Sequence, residues 1–561
     1  MDRAYDAAVN ASWSARAVCL GCLLGALLAA GNAFTALKIG YLDGGSIAAA
    51  IVGHALARRF GRPATLAETN LTQTIAASAA MTAGALGLSG SLPALEMLNV
   101  RLPAATVLLW GLSLCAMGIL LGATLRRRLI VEERLAFPTG TATAEVIRAL
   151  HGHGAAVVAR GRWLLGAFAV AAGITWFRDG RPAVIPAESR LLPASVGASP
   201  AIAWSPLLLA TGALIGPRAA TSILLGTLAG WGLLARWPPA AGTVAFEDAT
   251  TLLVWPGVGV MLGAMGTALA LDWRRVGRGV LDAVAAVRPS GGASGRSAAL
   301  WAAAVGLFVV SGLLVGMPLA GLLLGLLLMW ILGAVAARVT GETDQAPLGA
   351  IGQLAQMVLG SVLPMPAATN VFLAATAANS AAQTSQTLWA LKAGHLLGAP
   401  PHLQLRGQLL GSVVGAAVSL PVYAFLVRAH GVGSTVLPAP FARAWKAVAD
   451  LVERRDLALP ASVVVATWIA AATGAALAAG ERLPRLRGFL PAASGLGIGF
   501  LLPTKYSVSI FVGGALAWIL ARSRPEWCAE RLSAITAGGM AGEALAGLLV
   551  AALTAAGWLG G

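Results

Sequence analysis

The chain has 561 residues, of which 58% are hydrophobic and only 11% are charged, and its mean hydropathy is +0.79. Soluble domains carry about a quarter charged residues, so this composition excludes a water-soluble globule. The net charge of +16 does not indicate a nucleic-acid partner, because most basic residues stand in short loops between apolar runs, as expected of a membrane protein.

Apolar runs of membrane-spanning length recur along the whole chain. A helix needs about 20 apolar residues to cross a hydrocarbon core of about 30 Å, and some of the runs are too short to cross alone. We therefore predict an all-α polytopic membrane protein with about 14–16 transmembrane helices, including broken and re-entrant helices.

Basic residues mark one side of the predicted membrane protein. The residues in question are Arg58, Arg59, Arg62, Arg126–Arg128, Arg274, Arg275, Arg278, Arg482, Arg485, Arg487, Arg522 and Arg524. They all face the cytoplasm if the N-terminus is cytoplasmic, as the positive-inside rule requires. We predict a multi-pass protein of the bacterial inner membrane, surrounded by lipid, with a cytoplasmic N-terminus. Its oligomeric state stays open, with a homodimer as one arrangement.

Two sequence motifs occur once in each half of the chain. "ETN" at Glu68–Asn70 resembles "ETD" at Glu342–Asp344, and both precede an apolar run that carries Gln. "TAEVIRALH" at Thr143–His151 resembles "TSQTLWALK" at Thr384–Lys392, with the shared pattern T-x-[EQ]-x-x-x-A-L-[HK]. Repetition of this kind favours internal duplication, which is common in secondary transporters.

The boundary between the predicted repeats lies in the Gly/Ser-rich connector "RPSGGASGRS". A third similarity pairs "IGYL" at Ile39–Leu42 with "IGFL" at Ile498–Leu501. We predict two direct internal repeats, an N-terminal helical half over residues 1–290 and a C-terminal helical half over residues 291–561. Repeats of this kind hold a substrate at their interface near the membrane midplane.

Polar and ionisable side chains recur inside the apolar runs. A charged residue costs about 3 kcal/mol or more at the centre of a membrane helix, so these residues indicate function. They form six clusters: Asn32, Lys38 and Asp43 in the break "KIGYLDGGS"; Glu68, Asn70, Thr72 and Gln73; Thr139–Glu145; Glu342–Gln356; Asn370, Asn379, Gln383, Gln386 and Lys392; and Lys505, Tyr506 and Glu543. The glycines of the first cluster allow the chain to unwind there.

These clusters suit a polar, zwitterionic solute. Helix N-termini attract a carboxylate, acidic side chains bind an ammonium group or a proton, and amides and hydroxyls supply hydrogen bonds. The predicted substrate contacts are Gln353, Gln356, Asn379, Gln383, Gln386, Thr143, Gln73 and Lys38. The predicted proton-coupling residues are Glu342, Asp344, Glu68, Glu145 and Glu543.

A structural role is open for several of these residues. Glu68, Glu145 and Glu342 are expected near helix starts, where the helix dipole alone stabilises an acid. Lys38 could extend its amine to the lipid headgroups. Glu543 lies inside the last span, and this position favours a functional role.

No enzyme signature is present. The sequence lacks H-E-x-x-H, G-x-x-x-x-G-K-[ST] and G-x-S-x-G motifs, and Cys19 and Cys22 fall inside the first apolar run, where small residues pack helices. We therefore expect no enzyme, no cofactor and no bound metal site.

Five segments together resemble the oligopeptide transporter superfamily, in the order of that family and over nearly the whole chain. They are "TALKIGYLDGGSIAAAIVGHAL", "ERLAFPTGTATAEVIRALH", "TGETDQAPLGAIGQLAQMVLG", "AANSAAQTSQTLWALKAGHLLGAPP" and "LLPTKYSVSIFVGGAL". The compact chain, without a long N-terminal extension, is similar to the prokaryotic group. The resemblance implies about sixteen helices built by duplication, and proton-coupled uptake of small peptides or, in the yellow stripe-like branch, of metal–chelate complexes.

Three hypotheses follow. The first is proton-coupled uptake of small oligopeptides across the bacterial inner membrane. The second is import of metal complexes with a nicotianamine-like or siderophore-like chelator. The third is a membrane-embedded enzyme acting on a lipid-linked substrate, with Glu145 and Glu342 as acid and base.

Overall fold

The computed structural model is almost wholly helical. It describes residues 13–59, 63–152, 155–191, 201–230, 246–287, 295–344, 346, 348–434, 436–454, 459 and 461–559. These residues form 21 helices and one pair of short antiparallel strands. They divide into two compact units, each built from two separate stretches of the chain.

The first unit comprises Met1–Gly161 and Arg274–Val427. Its helices are α1 (Ala15–Ile39), α2 (Ser46–Arg59), α3 (Leu66–Ala85), α4 (Ser91–Met97), α5 (Ala104–Arg126), which continues as a π-helical turn over Arg127–Glu132, α6 (Pro138–Gly152), the start of α7 (Ala155–Asp179), α10 (Trp273–Val287), α11 (Gly295–Leu314), α12 (Leu319–Thr343), α13 (Leu348–Val362), α14 (Ala367–Leu397) and most of α15 (Pro401–His430).

The second unit comprises Arg162–Trp273 and Arg428–Gly561. It contains most of α7, β1 (Glu188–Arg190), β2 (Ala201–Ala203), α8 (Pro206–Thr227), α9 (Phe246–Leu271), α16 (Pro440–Arg454), α17 (Ala461–Gly480), α18 (Pro484–Arg487), α19 (Ala493–Leu501), α20 (Thr504–Ser523) and α21 (Pro525–Ala555). Helices α8 and α20 approach so closely that a Cβ on Gly212 would lie 1.8 Å from the carbonyl oxygen of Ile510.

The predicted fold class is confirmed. Within the described ranges, eight helices are long and apolar enough to cross a membrane: α1, α5 with its π-helical turn, α8, α12, α15, α17, α20 and α21. A ninth candidate joins Leu252–Ala268 to Trp273–Val284 across a break. The total of about 14–16 crossings stays a prediction, because shorter and more polar helices are also present.

Two long helices of the first unit are polar and nevertheless buried. In α3, 18 of 20 residues are buried, and in α14, 25 of 31 are buried. The two helices run antiparallel: Gln383 of α14 donates to Ser78 of α3 at 2.9 Å, and Asn379 donates to Ser91, beyond the end of α3, at 3.3 Å. Apolar helices surround this polar pair, so its amides and hydroxyls are kept away from lipid.

Small residues allow the surrounding helices to approach the polar pair. A Cβ on Gly411 of α15 would lie 2.3 Å from the carbonyl oxygen of Ile75 in α3. Close backbone approach at glycine and alanine is the usual packing of membrane helices, where dispersion forces replace the hydrophobic effect. The glycine richness of the chain is therefore explained by packing.

Basic residues of the first unit gather at one end. Helix α5 runs parallel to α14, because Gly118 lies against Ser380 and Gly122 against Thr387. Helix α12 also runs parallel to α14, because Gly321 lies against Leu373 and Thr340 bonds Ser385 at 2.9 Å. The end that contains the C-terminus of α14 therefore also contains the ends of α5 and α12 and the start of α3. Basic side chains at this end include Arg16, Arg58, Arg59, Arg126–Arg128, Arg148, Arg275, Arg338 and Lys392.

The predicted repeats and the compact units are different divisions of the chain. Each compact unit contains residues of both predicted halves, and the division into halves 1–290 and 291–561 stays a prediction. The two segments of the third similarity lie in different units, Ile39–Leu42 in the first and Ile498–Leu501 in the second, and the duplication stays a prediction.

Candidate functional site

A break between α1 and α2 brings the chain back into the interior of the first unit. Helix α1 ends at Ile39, and Gly40 adopts a left-handed conformation with φ 74°. The amide of Asn32 donates to the carbonyl oxygens of Asp43 and Ala80, both at 2.8 Å, and accepts from the Asp43 backbone N–H at 3.3 Å. Residue 32 lies about 10 Å before the end of α1, at a rise of 1.5 Å per residue. Residue 43 therefore lies at the same depth, inside the unit.

Gln386 of α14 faces this break with its amide unbonded. Its side chain is fully buried, and a Cβ on Gly44 would lie 2.7 Å from its Oε1. Over the part of the chain that the structure describes, neither Oε1 nor Nε2 has a hydrogen-bond partner. An unpaired buried polar group costs about 1–3 kcal/mol, so this amide is placed to bond something that enters the break.

Asp43 is the acidic residue of the break. Its Oδ1 accepts from the Gly45 N–H at 3.1 Å, and residues 41–44 are all partly exposed. Among the described residues, no Lys, Arg or His side chain pairs with its carboxylate. The sequence placed Asp43 in the first polar cluster but not among the predicted site residues. The signal that could have selected it is an acid flanked by glycines inside an apolar run.

Two other amides of the polar pair donate hydrogen bonds to neighbouring side chains. Gln383 donates to Ser78, which in turn donates to the carbonyl oxygen of Gln408 in α15 at 2.7 Å. Gln73 donates to Asn70 and Thr74, both at 3.1 Å and both on its own helix. These contacts give Gln383 and Gln73 partners that Gln386 lacks.

The remaining predicted substrate contacts are all buried in the first unit, on different helices. Gln353 and Gln356 lie on α13, and the backbone oxygen of Gln356 accepts from Asn370 at 2.8 Å. Thr143 of α6 donates within its own helix to the oxygen of Thr139 at 2.8 Å. Lys38 lies in the last turn of α1, with its amine 5.2 Å from the Phe34 ring centroid.

Glu68 lies at a helix start, as predicted. It forms a reciprocal capping box with Thr65 at the start of α3, and it also accepts from Ser14 at 2.7 Å and from Arg16 at 2.8 Å. Capping and pairing together satisfy the carboxylate. The geometry therefore gives Glu68 a structural task, in which it joins α1 to α3.

The predicted helix start at Glu342 is wrong. Glu342 lies in the last turn of α12, not in a first turn, so it is not equivalent in position to Glu68. The helix continues through Thr343 because apolar and small residues extend to Gly341, and the positively charged side chains of Arg275 and Arg338 offset the acid at 2.9 and 3.4 Å. Without those cations an acid would be unfavourable at a helix C-terminus.

Glu342 belongs to a larger ion-pair network. Arg338 is almost fully buried and also pairs with Asp282 of α10 at 2.6 Å and with Glu133 at 2.8 Å. Glu133 follows the π-helical turn, outside the predicted span, and the hydrogen bond from Arg338 holds the pKa of its carboxyl below its usual range. Arg128 completes the network by pairing with Asp282 at 2.6 Å.

Asp344 joins three helices. It ends α12 in the left-handed conformation, with φ 63°. Its carboxylate accepts from the backbone and hydroxyl of Thr139 at 2.9 and 2.6 Å and from the indole of Trp389 at 2.8 Å. It thereby caps the start of α6 from a different segment, as an N-cap side chain would do locally.

The other two predicted proton-coupling residues have contrasting surroundings. Glu145 was expected near a helix start, but it lies well inside α6 with an exposed side chain, because α6 already begins at Pro138. Glu543 lies in the second unit and is fully buried. It accepts from Ser205 and from the Leu207 N–H at the start of α8, each at 2.8 Å, and from Arg178 at 3.2 Å.

Both amide atoms of Gln386 at the break lack a partner among the described residues, whereas Glu68, Asp344 and Glu543 are each held by several donors. At the break, a carboxylate and an amide lie at the level of interior residues of α1, α3 and α14. Such a pair can bind a solute that carries a positive charge and hydrogen-bonding groups. Across the described residues, no group of three His, Cys, Asp or Glu side chains could hold a metal ion.

A polytopic helical protein with a polar break of this kind has the design of a membrane transporter. The family model "OPT oligopeptide transporter protein" matches residues 12–271 and 296–554, and the chain belongs to that family.

Relatives bear the same family name or a related one. A "Putative oligopeptide transporter" of Haemophilus influenzae is 25% identical over 93% of this chain and 92% of its own length. A "Putative oligopeptide transporter YGL114W" of Saccharomyces cerevisiae is 28% identical over 35% of this chain and 28% of its own. A "Probable metal-nicotianamine transporter YSL17" of rice is 24% identical over 78% of this chain and 71% of its own length.

Proposed function

We propose that the protein is a secondary active transporter that couples proton entry to the uptake of small oligopeptides across the bacterial inner membrane. Membership in a transporter family supports transport and agrees with the prediction that the chain is no enzyme. The observation that carries the peptide assignment is the break: the free amide of Gln386 beside Gly44 offers an NH2 donor group and a carbonyl acceptor, which complement the C=O and N–H of a peptide group.

The proposed orientation places the N-terminus in the cytoplasm. It is supported by the basic end of the first unit, which includes Arg16 at the start of α1 and Arg58 at the end of α2. Cytoplasmic loops of membrane proteins carry an excess of Lys and Arg. A homodimer stays a prediction.

The predicted substrate contacts remain part of the proposal. Their existing hydrogen bonds decide the order in which we expect them to contribute. Gln386 stands first, because its amide is unbonded and faces a partly exposed break. Gln383 and Gln73 stand lower, because each already donates to neighbouring side chains. At these two residues the NH2 group is engaged and the carbonyl oxygen remains as an acceptor for substrate.

The proton carrier is proposed to be one of the five predicted acids. Glu68, Glu342, Asp344 and Glu543 are each held by several donors, so protonation of any of them would break an ion pair or a cap. Glu145 has no ion pair or side-chain hydrogen bond within the described ranges and is exposed. A proton could therefore bind Glu145 without cost to the fold.

The test is uptake of radiolabelled peptides of two to six residues into proteoliposomes, with and without an imposed proton gradient. We expect uptake of short peptides that accelerates when the outside is acidic. Transport at the same rate without a gradient would contradict coupling, and a complete lack of peptide uptake would contradict the substrate class.

The same assay tests the proton role of Glu342. If Glu342 carries the proton, Glu342→Gln abolishes acceleration by the gradient while downhill exchange of peptide continues. An unchanged rate would remove Glu342 from the proposal. Glu132→Gln is a matched control, because Glu132 lies in an exposed pair with Arg127.

The second candidate function is import of metal–chelate complexes. The observation that favours it is the rice relative named as a probable metal-nicotianamine transporter, which matches 78% of this chain. The chelator would hold the metal itself, so a transporter of this kind needs no metal ligands. Uptake of iron or nickel only together with a chelator, and no uptake of peptides, would place this function first.

A further inference from the structure

We propose that Asp43 binds the free amino terminus of the transported peptide, with Gln386 hydrogen-bonding the peptide group next to it. The inference rests on the proposed peptide uptake and adds to it a recognition element: the substrates are peptides with an unblocked, positively charged amino terminus. Asp43 acts as a specificity-determining residue in this scheme.

Asp43 lies at the depth of interior residues of the first unit. Asn32 bonds both the backbone N–H and the backbone carbonyl of Asp43, and the same amide bonds the Ala80 carbonyl of α3. The break is therefore fixed between two helices, about 10 Å from the end of α1. An ionised carboxylate at such a depth needs a partner, because transfer of an unpaired charge out of water is strongly unfavourable.

Four other acids of the first unit contrast with Asp43 in their partners. Glu68, Glu133, Asp282 and Glu342 each pair with at least one arginine. Asp43 receives a single backbone N–H bond, from Gly45, and no cationic side chain among the residues that the structure describes. The fold supplies an arginine for each of these four acids and leaves the cation of Asp43 to be supplied by a solute.

The space next to Asp43 is bordered by Gly44 and the Gln386 amide. Gly44 lies against the Gln386 amide, and a Cβ at residue 44 would come within 2.7 Å of Oε1. Glycine at this position keeps the amide accessible from the break. Residues 41–44 are partly exposed while Asn32 and Gln386 are buried, so a solute can reach the carboxylate and the amide from one side.

The side chains at the break favour an ammonium group over a divalent metal as the ligand. One carboxylate with one amide is a poor site for a divalent metal, which takes several oxygen or nitrogen ligands. An ammonium group has three donors, and it can bond the carboxylate oxygens while the adjoining peptide group bonds the amide of Gln386. The site thus fits the first residue of a peptide, and a blocked amino terminus would lose the charge-assisted bond.

The test is equilibrium binding of two labelled tripeptides to the purified full-length protein, one with a free amino terminus and one N-acetylated. We expect the wild type to bind the free peptide about tenfold or more tightly, as a charged hydrogen bond implies. Asp43→Asn should lower this ratio to about one by weakening only the free peptide, and Asp43→Glu should retain a preference. Gly44→Ala should weaken both peptides.

Several outcomes would overturn the inference. One is a wild type that binds both peptides equally. Another is an Asp43→Asn variant that keeps the preference but loses gradient-driven uptake, which would make Asp43 a proton carrier. A third is equal weakening of both peptides in Asp43→Asn, which would indicate damage to the fold. Failure of the wild type to bind or transport any peptide would overturn the proposed function as well. This outcome differs from the three above, in which the wild type still binds peptide.

Asp450→Asn provides the matched control. Asp450 lies in the second unit, where it pairs with Lys446 at 2.7 Å. The substitution removes a carboxylate from another part of the chain, and we expect the preference for the free peptide to be unchanged.

Discussion

Asp43 and Asp344 are both aspartates in breaks between helices of the first unit, yet their surroundings are opposite. Asp344 accepts three hydrogen bonds that join α12, α6 and α14. Asp43 accepts one, from the Gly45 backbone two residues away. The comparison teaches that an acid near a membrane span is informative only when its donors are known, because a satisfied acid stabilises the fold and an unsatisfied one is free to bind a solute.

The largest expected effect on stability comes from the ion-pair network near Asp344. Arg338→Met removes one of the two arginines that Asp282 and Glu133 share, and loss of one member of a buried pair costs about 3–5 kcal/mol. Thermal unfolding in detergent, followed by tryptophan fluorescence, should show a large drop in the midpoint. Arg127→Met, in an exposed pair, should change it little. Equal midpoints for wild type and Arg338→Met would show that the network is not structural.

The next effect separates the two aspartates directly. Asp344→Asn should lower the unfolding midpoint, because one carboxylate oxygen that accepts hydrogen bonds from Thr139 or Trp389 is lost, at a cost of about 1–3 kcal/mol. Asp43→Asn should leave the midpoint unchanged or raise it, because an unpaired charge disappears. Peptide binding should respond in the opposite order. A marked loss of stability in Asp43→Asn would remove the distinction between the two residues.

A smaller effect separates two glutamines on the same helix. Gln383→Leu breaks the bond to Ser78 and should destabilise the protein by about 1 kcal/mol. Gln386→Leu removes no bond seen among the described residues and should be neutral for stability, while it weakens peptide binding. Parallel thermal and binding measurements on the two variants check this. Greater destabilisation by Gln386→Leu than by Gln383→Leu would contradict the ranking of these amides.

The smallest effect is a pH dependence. The pKa of Glu133 is lowered in the folded state, chiefly by the bond from Arg338, so its contribution to stability is present above the unfolded pKa of about 4.3 and is lost as the pH falls through the folded value. Glu133→Gln should lower the unfolding midpoint at neutral pH and have progressively less effect in acid. A constant difference between variant and wild type across this range would show that the charge of Glu133 does not matter.

The sequence could predict the fold class and the segments that carry polar residues, because lipid exposure demands long apolar runs and makes each polar exception visible. It could also select Gln386 as a candidate contact, and that role stays a prediction. It could not rank the acids, since whether Glu342 begins or ends a helix depends on arginines from other helices. Asp43 was not selected for a related reason: its lack of a cation is a property of the assembled unit and not of the local sequence.

The central claim is that solute binds at the break, beside Asp43 and Gln386. Its most direct test is an experimental structure of the protein with a transported tripeptide at saturating concentration. We expect peptide density in the break, with the amino terminus at hydrogen-bonding distance from the Asp43 carboxylate and a peptide group at the Gln386 amide. Peptide bound elsewhere, with the break unchanged and empty, would contradict it.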